Sequence, residues 1–238
     1  MSLNEYFGRL PNGLSREVRE ASLKPFGSWE AFTEVAERNP VETLAFLADY
    51  PGVDMAAIKI QPRHIRNPDN ARQLIEAATV SVFLRRNPLS IWISRRIVEE
   101  SRAWAFKNTE RHFVPFEPEK FCAFTGHTLR RMNEFESICD ALGARKWRLS
   151  YQQIEAFAGP EDMWTELTTA FPHIPSRPML PEPKALFSKQ DARPPFERLS
   201  NPEEARIWLA SAGLDYLIDN NDEFDAEHII EAVDSFLH

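Results

Sequence analysis

The chain is short of glycine and shorter still of cysteine, and both shortages narrow what it can be. Its eight glycines are scattered over 238 residues and never cluster, so there is no Walker loop, no GxGxxG turn and no GxSxG nucleophile elbow. Ordinary nucleoside-triphosphate hydrolysis therefore has no loop to work from. The two cysteines, Cys122 and Cys139, lie in what reads as one continuous helix, a poor arrangement for a disulfide. They read as reduced core thiols, which suits a cytoplasmic setting. The six histidines show no ligand spacing with one another or with cysteine, and HExxH is absent, so no metal is expected. His64, with Arg63 beside it, reads as an exposed helix-start histidine. No apolar run is long enough to span a bilayer, and the opening Met1-Ser2-Leu3-Asn4-Glu5 lacks the basic and apolar parts of a signal peptide. A basic excess is also missing. The net charge of −8 and pI near 5.4 argue against nucleic acid as a partner, whereas a small anion would need only a local basic patch.

What is present is a set of helix starts. Asn-Pro occurs at Asn39-Pro40, Asn67-Pro68, Asn87-Pro88 and Asn201-Pro202; asparagine caps a helix and proline fits its first position. Glu42 stands where it can complete a capping box with Asn39. The predicted helices cover residues 40–49, 69–78, 88–107 and 202–212. Short apolar segments at Ala56–Ile60, Thr79–Leu84 and Trp147–Tyr151 read as buried strands. A further helix over Pro118–Gly143 carries Phe121, Phe124, Leu129, Met132, Phe135, Ile138 and Leu142 at spacings of three or four. Strands separated by helices imply parallel crossovers, hence an α/β fold. A single domain, 1–238, is expected. Within it, the proline-rich stretch 172–196 reads as a surface loop and 220–238 as a C-terminal helical extension whose stripe is Ile229, Ile230, Val233 and Leu237.

One junction proposes a ligand. The apolar run from Val80 ends in Arg85 and Arg86 and then opens a helix at Asn87-Pro88. Strand-end guanidinium groups, helix N-terminal N–H groups and the helix dipole all favour a phosphate. The other Asn-Pro pairs start helices without such a setting, so Asn87 and Pro88 need no functional explanation; Arg85, Arg86 and the serines do. Ser90 lies in the first turn, and Ser94 follows one turn later. Ser94 meets a phosphate only if the ligand lies along the helix.

Arg86-Asn87-Pro88 followed by Ser94 resembles the 3′-phosphate-binding motif of PAPS-dependent sulfotransferases, of the bacterial Stf0 and nodulation type in particular. Glu5-Tyr6-Phe7 with Leu10-Pro11-Asn12 resembles that group's early Glu-aromatic-Phe segment, and Ile58-Lys59-Ile60 its Gly-x-Lys strand. Ser94 to Trp104 resembles its helix from the nucleotide serine to a tryptophan, and Tyr151-Gln152-Gln153 the strand end before a family helix. Lys189, Gln190 and Arg193 resemble its basic loop over the nucleotide. The resemblance runs in order from Glu5 to about Leu214. It implies a helix-rich three-layer parallel sheet flanked by helices, of the sulfotransferase or P-loop-like kind. It also implies a PAPS or PAP cosubstrate held by Arg85 or Arg86, Ser94, Lys189, Gln190 and Arg193, with Lys59 and Trp104 lining the acceptor cleft. Arg85 stays beside Arg86 because the family often spaces the arginine nine residues before the serine. The implied reaction is transfer of a sulfuryl group from PAPS to a hydroxyl of a carbohydrate or small-molecule acceptor.

The family's first strand and its Arg-Ser-Gly-Ser-Thr loop, which cradles the 5′-phosphosulfate, have no counterpart before Glu5. The family's general base would fall near Ser2, and Glu5 is not its equivalent. Activity in this form is therefore in doubt, and the catalytic residues are left unassigned. The alternative is a non-catalytic relative acting as a nucleotide-binding or protein-interaction module. A sheet lacking its first strand would need cover from elsewhere in the chain or from a partner, a homodimer included.

Overall fold

The computed structural model describes residues 2–3, 27–28, 31, 34–35, 38–49, 57–58, 67–102, 111–157, 160–174, 193–219 and 221–237. In chain order the elements are β1 (Ser2–Leu3), α1 (Pro40–Ala48), β2 (Ala57–Ile58), α2 (Pro68–Ala77), β3 (Ser81–Arg85), α3 (Pro88–Ser101), α4 (Pro118–Leu142), β4 (Lys146–Ser150), α5 (Tyr151–Ala156), α6 (Pro160–Ala170), α7 (Pro202–Ser211) and α8 (Ala226–Leu237). Single 3-10 turns span Pro195–Arg198 and Asp215–Asp219. Helices predominate, and the described strands form two two-stranded sheets, β1–β2 and β3–β4. β1 pairs with β2 in parallel, Ser2 opposite Ala57 and Leu3 opposite Ile58, a pairing that the sequence reading did not place at the start of the chain. No helix among the described residues is long and apolar enough to cross a membrane.

Each Asn-Pro pair opens a helix, but the four asparagines do different work. Asn67 caps α2 by accepting from the Asp69 N–H. Asn39 donates from Nδ2 to Glu42 Oε2 at 3.2 Å ahead of α1. Asn201 makes no side-chain cap on α7. It pairs instead with the backbone of Phe116, accepting from its N–H at 2.6 Å and donating to its carbonyl at 3.2 Å. This extends the parallel bridge between Val114 and Leu199, so a long-range backbone demand outcompetes the local cap.

Helix ends follow the same chemistry. α4 and α7 stop at Gly143 and Gly213, both with positive φ. In each, the next residue reaches back five positions: Ala144 N–H to Cys139 O at 2.9 Å and Leu214 N–H to Leu209 O at 2.8 Å. Glycine is favoured here because a Cβ is strained in the left-handed region. The predicted helix 88–107 ends sooner, at Ser101, where Arg102 turns left-handed.

The chain divides into two compact units. The first takes its described residues from Met1–Ser81, Glu134–Trp147 and Trp164–Pro178. Its buried residues include Ala71, Leu74 and Ile75 of α2 and Cys139 at the C-terminal part of α4. A shallow depression of about 460 Å³ is lined in part by Glu76, Thr79 and Arg145.

The second unit, Val82–Asn133, Arg148–Met163 and Met179–His238, holds the larger core. Leu89, Trp92, Ile93 and Ile97 form the inward stripe of α3, meeting Phe121, Cys122 and Leu129 of α4, Leu209 of α7, and Ile229 and Val233 of α8. Trp92 stands edge-on to Phe116 and Phe121, with ring centroids 5.5 and 5.9 Å away. The C-terminal stripe departs from expectation at its end, because Leu237 is 46% exposed.

Both cysteines are free and buried. Burial pushes the Cys122 thiol up to about 12 and raises Cys139 as well, against a hydrogen bond from Ser81. A disulfide-exchange reagent at mildly alkaline pH is expected to modify neither thiol in the native protein and both after denaturation. Rapid labelling of the folded chain at either position would contradict this.

Candidate functional site

The strand-to-helix junction identified from sequence lies in the second unit, where β3 and β4 run into α3 and α5. β3 alternates half-buried and exposed residues along Ser81–Arg85, as expected of a strand with one covered face. Its end delivers Arg85 and then Arg86. Asn87, fully buried, caps α3 by accepting from the Ser90 N–H at 3.1 Å. Its amide also donates to the carbonyls of Leu217 and Asn221, at 2.9 and 3.1 Å. Asn87 is thus no ordinary helix start: it ties the head of α3 to the segment before α8.

β4 ends in a capping box. Ser150 Oγ accepts from the Gln153 N–H at 3.0 Å, and Gln153 Oε1 accepts from the Ser150 N–H at 2.7 Å. Tyr151, read from sequence as the last residue of a strand, is instead the first residue of α5. The cap explains this, since a serine at the strand end satisfies helix N–H groups that the ladder leaves open.

Between the two junctions sits Asp222, almost wholly buried. Its Oδ1 accepts from the Asn87 N–H at 2.7 Å and its Oδ2 from the Gln152 N–H at 2.8 Å. The anion at the head of α3 is therefore one of the protein's own carboxylates. Pro88 has no N–H to offer, and the Ser90 N–H is held by Asn87. Two of the N–H groups that the sequence reading offered to a phosphate, those of Asn87 and Ser90, are thus taken by the chain's own side chains. Sequence inspection missed Asp222 because it lies 135 residues from Asn87, with no local pattern to mark it.

The side-chain cations remain. Arg86 lays its guanidinium over the Tyr151 ring, 4.6 Å from the centroid, and among the described residues it has no carboxylate partner. Arg85 lies over Phe224 at 5.9 Å. The arginines further along α3 are neutralised: Arg95 pairs with Glu99 at 2.7 Å, and Arg96 with Glu99, Glu100 and Glu117 at 3.1 to 3.3 Å. Burial raises the Glu99 carboxyl, but hydrogen bonds and charge from Arg95 and Arg96 prevail and hold it below its ordinary value. Ser94 is half-buried on α3, with no hydrogen bond from its hydroxyl among the described residues.

Of the other candidates, Arg193 lies over the Phe113 ring at 4.7 Å. Lys59, Trp104, Lys189 and Gln190 lie outside the described residues. Among the described residues, no group of three or more His, Cys, Asp or Glu side chains could hold a metal ion. No protein-family model, no curated protein and no solved structure matches this chain.

Proposed function

We propose that this chain is a sulfotransferase-like protein that binds a 3′-phosphoadenosine nucleotide, PAPS or PAP, along α3, with Arg86 and Ser94 on the 3′-phosphate. The observation that carries the reading is Arg86, a strand-end guanidinium held on an aromatic face with no carboxylate against it among the described residues. A stacked guanidinium keeps its fork of donors available for a bidentate phosphate contact. Ser94, with a hydroxyl free of hydrogen bonds among the described residues, is a second donor on the same helix. The phosphate would be met chiefly by side chains, because Asp222 and Asn87 take the Asn87 and Ser90 N–H groups and Pro88 has none.

The finer fold implied is the three-layer sulfotransferase sheet. Bound PAPS would supply the sulfuryl group for transfer to a carbohydrate or small-molecule hydroxyl. This chain's part is to orient the nucleotide, with Arg85, Lys189, Gln190 and Arg193 as further contacts and Lys59 and Trp104 beside the acceptor. The second reading is a nucleotide-binding or protein-interaction module without transfer.

Calorimetric titration with PAP tests the claim. Saturable binding is expected, weakened at least tenfold, about 1.4 kcal/mol, by Arg86→Gln combined with Ser94→Ala. Binding untouched by the pair, or none at all, would remove the nucleotide. Sulfate transfer from labelled PAPS to simple hydroxyl acceptors then separates the two readings: product supports the enzyme, and binding without product supports the module.

A further inference from the structure

The negative charge of the protein is concentrated at one end of the sequence. Ten acidic residues lie within 202–237 against a single basic one, Arg206. That excess of nine accounts for the whole net charge of −8, and the remainder of the chain is close to neutral. The same segment forms α7, the Asp215–Asp219 turn and α8, and it displays apolar side chains that the core leaves uncovered.

Ile207 on α7 is 70% exposed, and Phe236 and Leu237 in the last turn of α8 are 43% and 46% exposed. The two helices meet where Phe236 stands edge-on to Trp208, 5.1 Å between centroids, while Leu209, Ile229 and Val233 face the core. Ile207 is flanked one turn earlier by the exposed Glu203 and Glu204, which share its side of the helix; Arg206 lies 3.9 Å from Glu203, and Asp234 of α8 pairs with Arg130, so Glu204, Glu227 and Glu231 are the carboxylates of this face left without a cation among the described residues. On α8, the exposed Glu227 and Glu231 run along the outer side at a spacing of four. Isolated exposed apolar residues are ordinary. Here they sit within a strongly charged segment of one sign.

We propose that the α7–α8 face docks a basic, apolar-studded helical segment of a partner protein, its lysines or arginines meeting the glutamates and its apolar side chains covering Ile207, Phe236 and Leu237. Charge complementarity selects the occupant. A second copy of this chain would bring two such faces of like charge together, and anionic lipid or nucleic acid would be repelled. The docking mode is an amphipathic helix laid on an apolar surface, with charge setting orientation and apolar contact setting affinity.

The full-length chain is titrated with three synthetic helical peptides: one with lysine on one face and leucine on the other, a charge-matched peptide with serine replacing leucine, and a glutamate–leucine version. Anisotropy of a labelled peptide reports binding. The lysine–leucine peptide is expected to bind at least tenfold more tightly than the lysine–serine peptide, and its affinity to fall as salt is raised. The glutamate–leucine peptide is expected not to bind. Ile207→Gln with Leu237→Gln, both at exposed positions, should weaken the lysine–leucine peptide at least fivefold while leaving the circular-dichroism melt unchanged. Equal affinity for the two lysine peptides would overturn the proposal in favour of charge alone. Indifference to the double substitution would place the site elsewhere, and a dimer in light scattering that Ile207→Gln abolishes would assign the face to self-association. The peptide comparison on the unaltered protein decides the matter even if the double variant misfolds.

Discussion

Asp222→Ala is expected to lower the unfolding free energy of the second unit by about 3 kcal/mol. The carboxylate accepts two backbone N–H bonds, from Asn87 at 2.7 Å and Gln152 at 2.8 Å, in a site almost closed to water. Hydrogen bonds to a charged acceptor contribute roughly 1.5–3 kcal/mol each, and a buried donor left without a partner costs its full desolvation. Alanine leaves two such donors without their acceptor. The effect should spread, because Asn87 also holds the carbonyls of Leu217 and Asn221, and loss of the carboxylate loosens the segment that carries them. Asp222→Asn retains one acceptor oxygen and is expected to recover about half of the loss. Urea unfolding followed by tryptophan fluorescence measures both. A loss below about 1 kcal/mol for alanine, with an unchanged denaturant slope, would mean that the clamp contributes little beyond the local caps.

Trp92→Ala is expected to cost more, about 4 kcal/mol, within the range for large aromatic truncations in a packed core. Trp92 is 1% exposed and stands edge-on to both Phe116 and Phe121. These rings in turn contact Trp208, at 5.5 and 6.0 Å. Removing the indole deletes its own burial and the edge-to-face contacts, and it leaves a cavity lined by Phe116, which precedes α4, and Phe121 of α4. Trp92→Phe keeps most of the volume and should cost less than half as much. Thermal or chemical denaturation distinguishes these, and near-equal losses for the two variants would show that the specific shape of the indole, and not filled volume, dominates this core.

These two sites were not equally visible in the sequence. The helix that carries Trp92 was legible from its start, but its inward stripe of Leu89, Trp92, Ile93 and Ile97 came with the fold. The starts of α1, α2, α3 and α7 were legible for one reason: proline at a first helical position, and an asparagine before it, act on the nearest turn. β3 and β4 were read within two residues of their observed bounds. The short stretch of β1 was not legible, because two residues carry no periodicity. Tyr151 was assigned to the wrong element, since strand and helix meet there and the Ser150–Gln153 capping box decides which one it joins.

The candidate site divides along the same line. Arg85, Arg86 and Ser94 were identified because cations at a strand end and a hydroxyl on the following helix stand close together in the sequence. Whether the head of α3 offers its N–H groups to a ligand depends on Asp222, a residue that approaches only once the chain has folded. Asn201 shows the same limit in reverse: its sequence signature is a cap, yet its amide serves the backbone of Phe116.

The sequence by itself determined where most helices begin, where the charge lies and which cations end a strand, because each of these acts through neighbours a few positions away. Only the tertiary structure decided which polar groups those residues meet. A buried N–H must find an acceptor wherever the fold brings one, and for Asn87 that acceptor is a carboxylate 135 residues away, which makes the head of α3 an internal clamp.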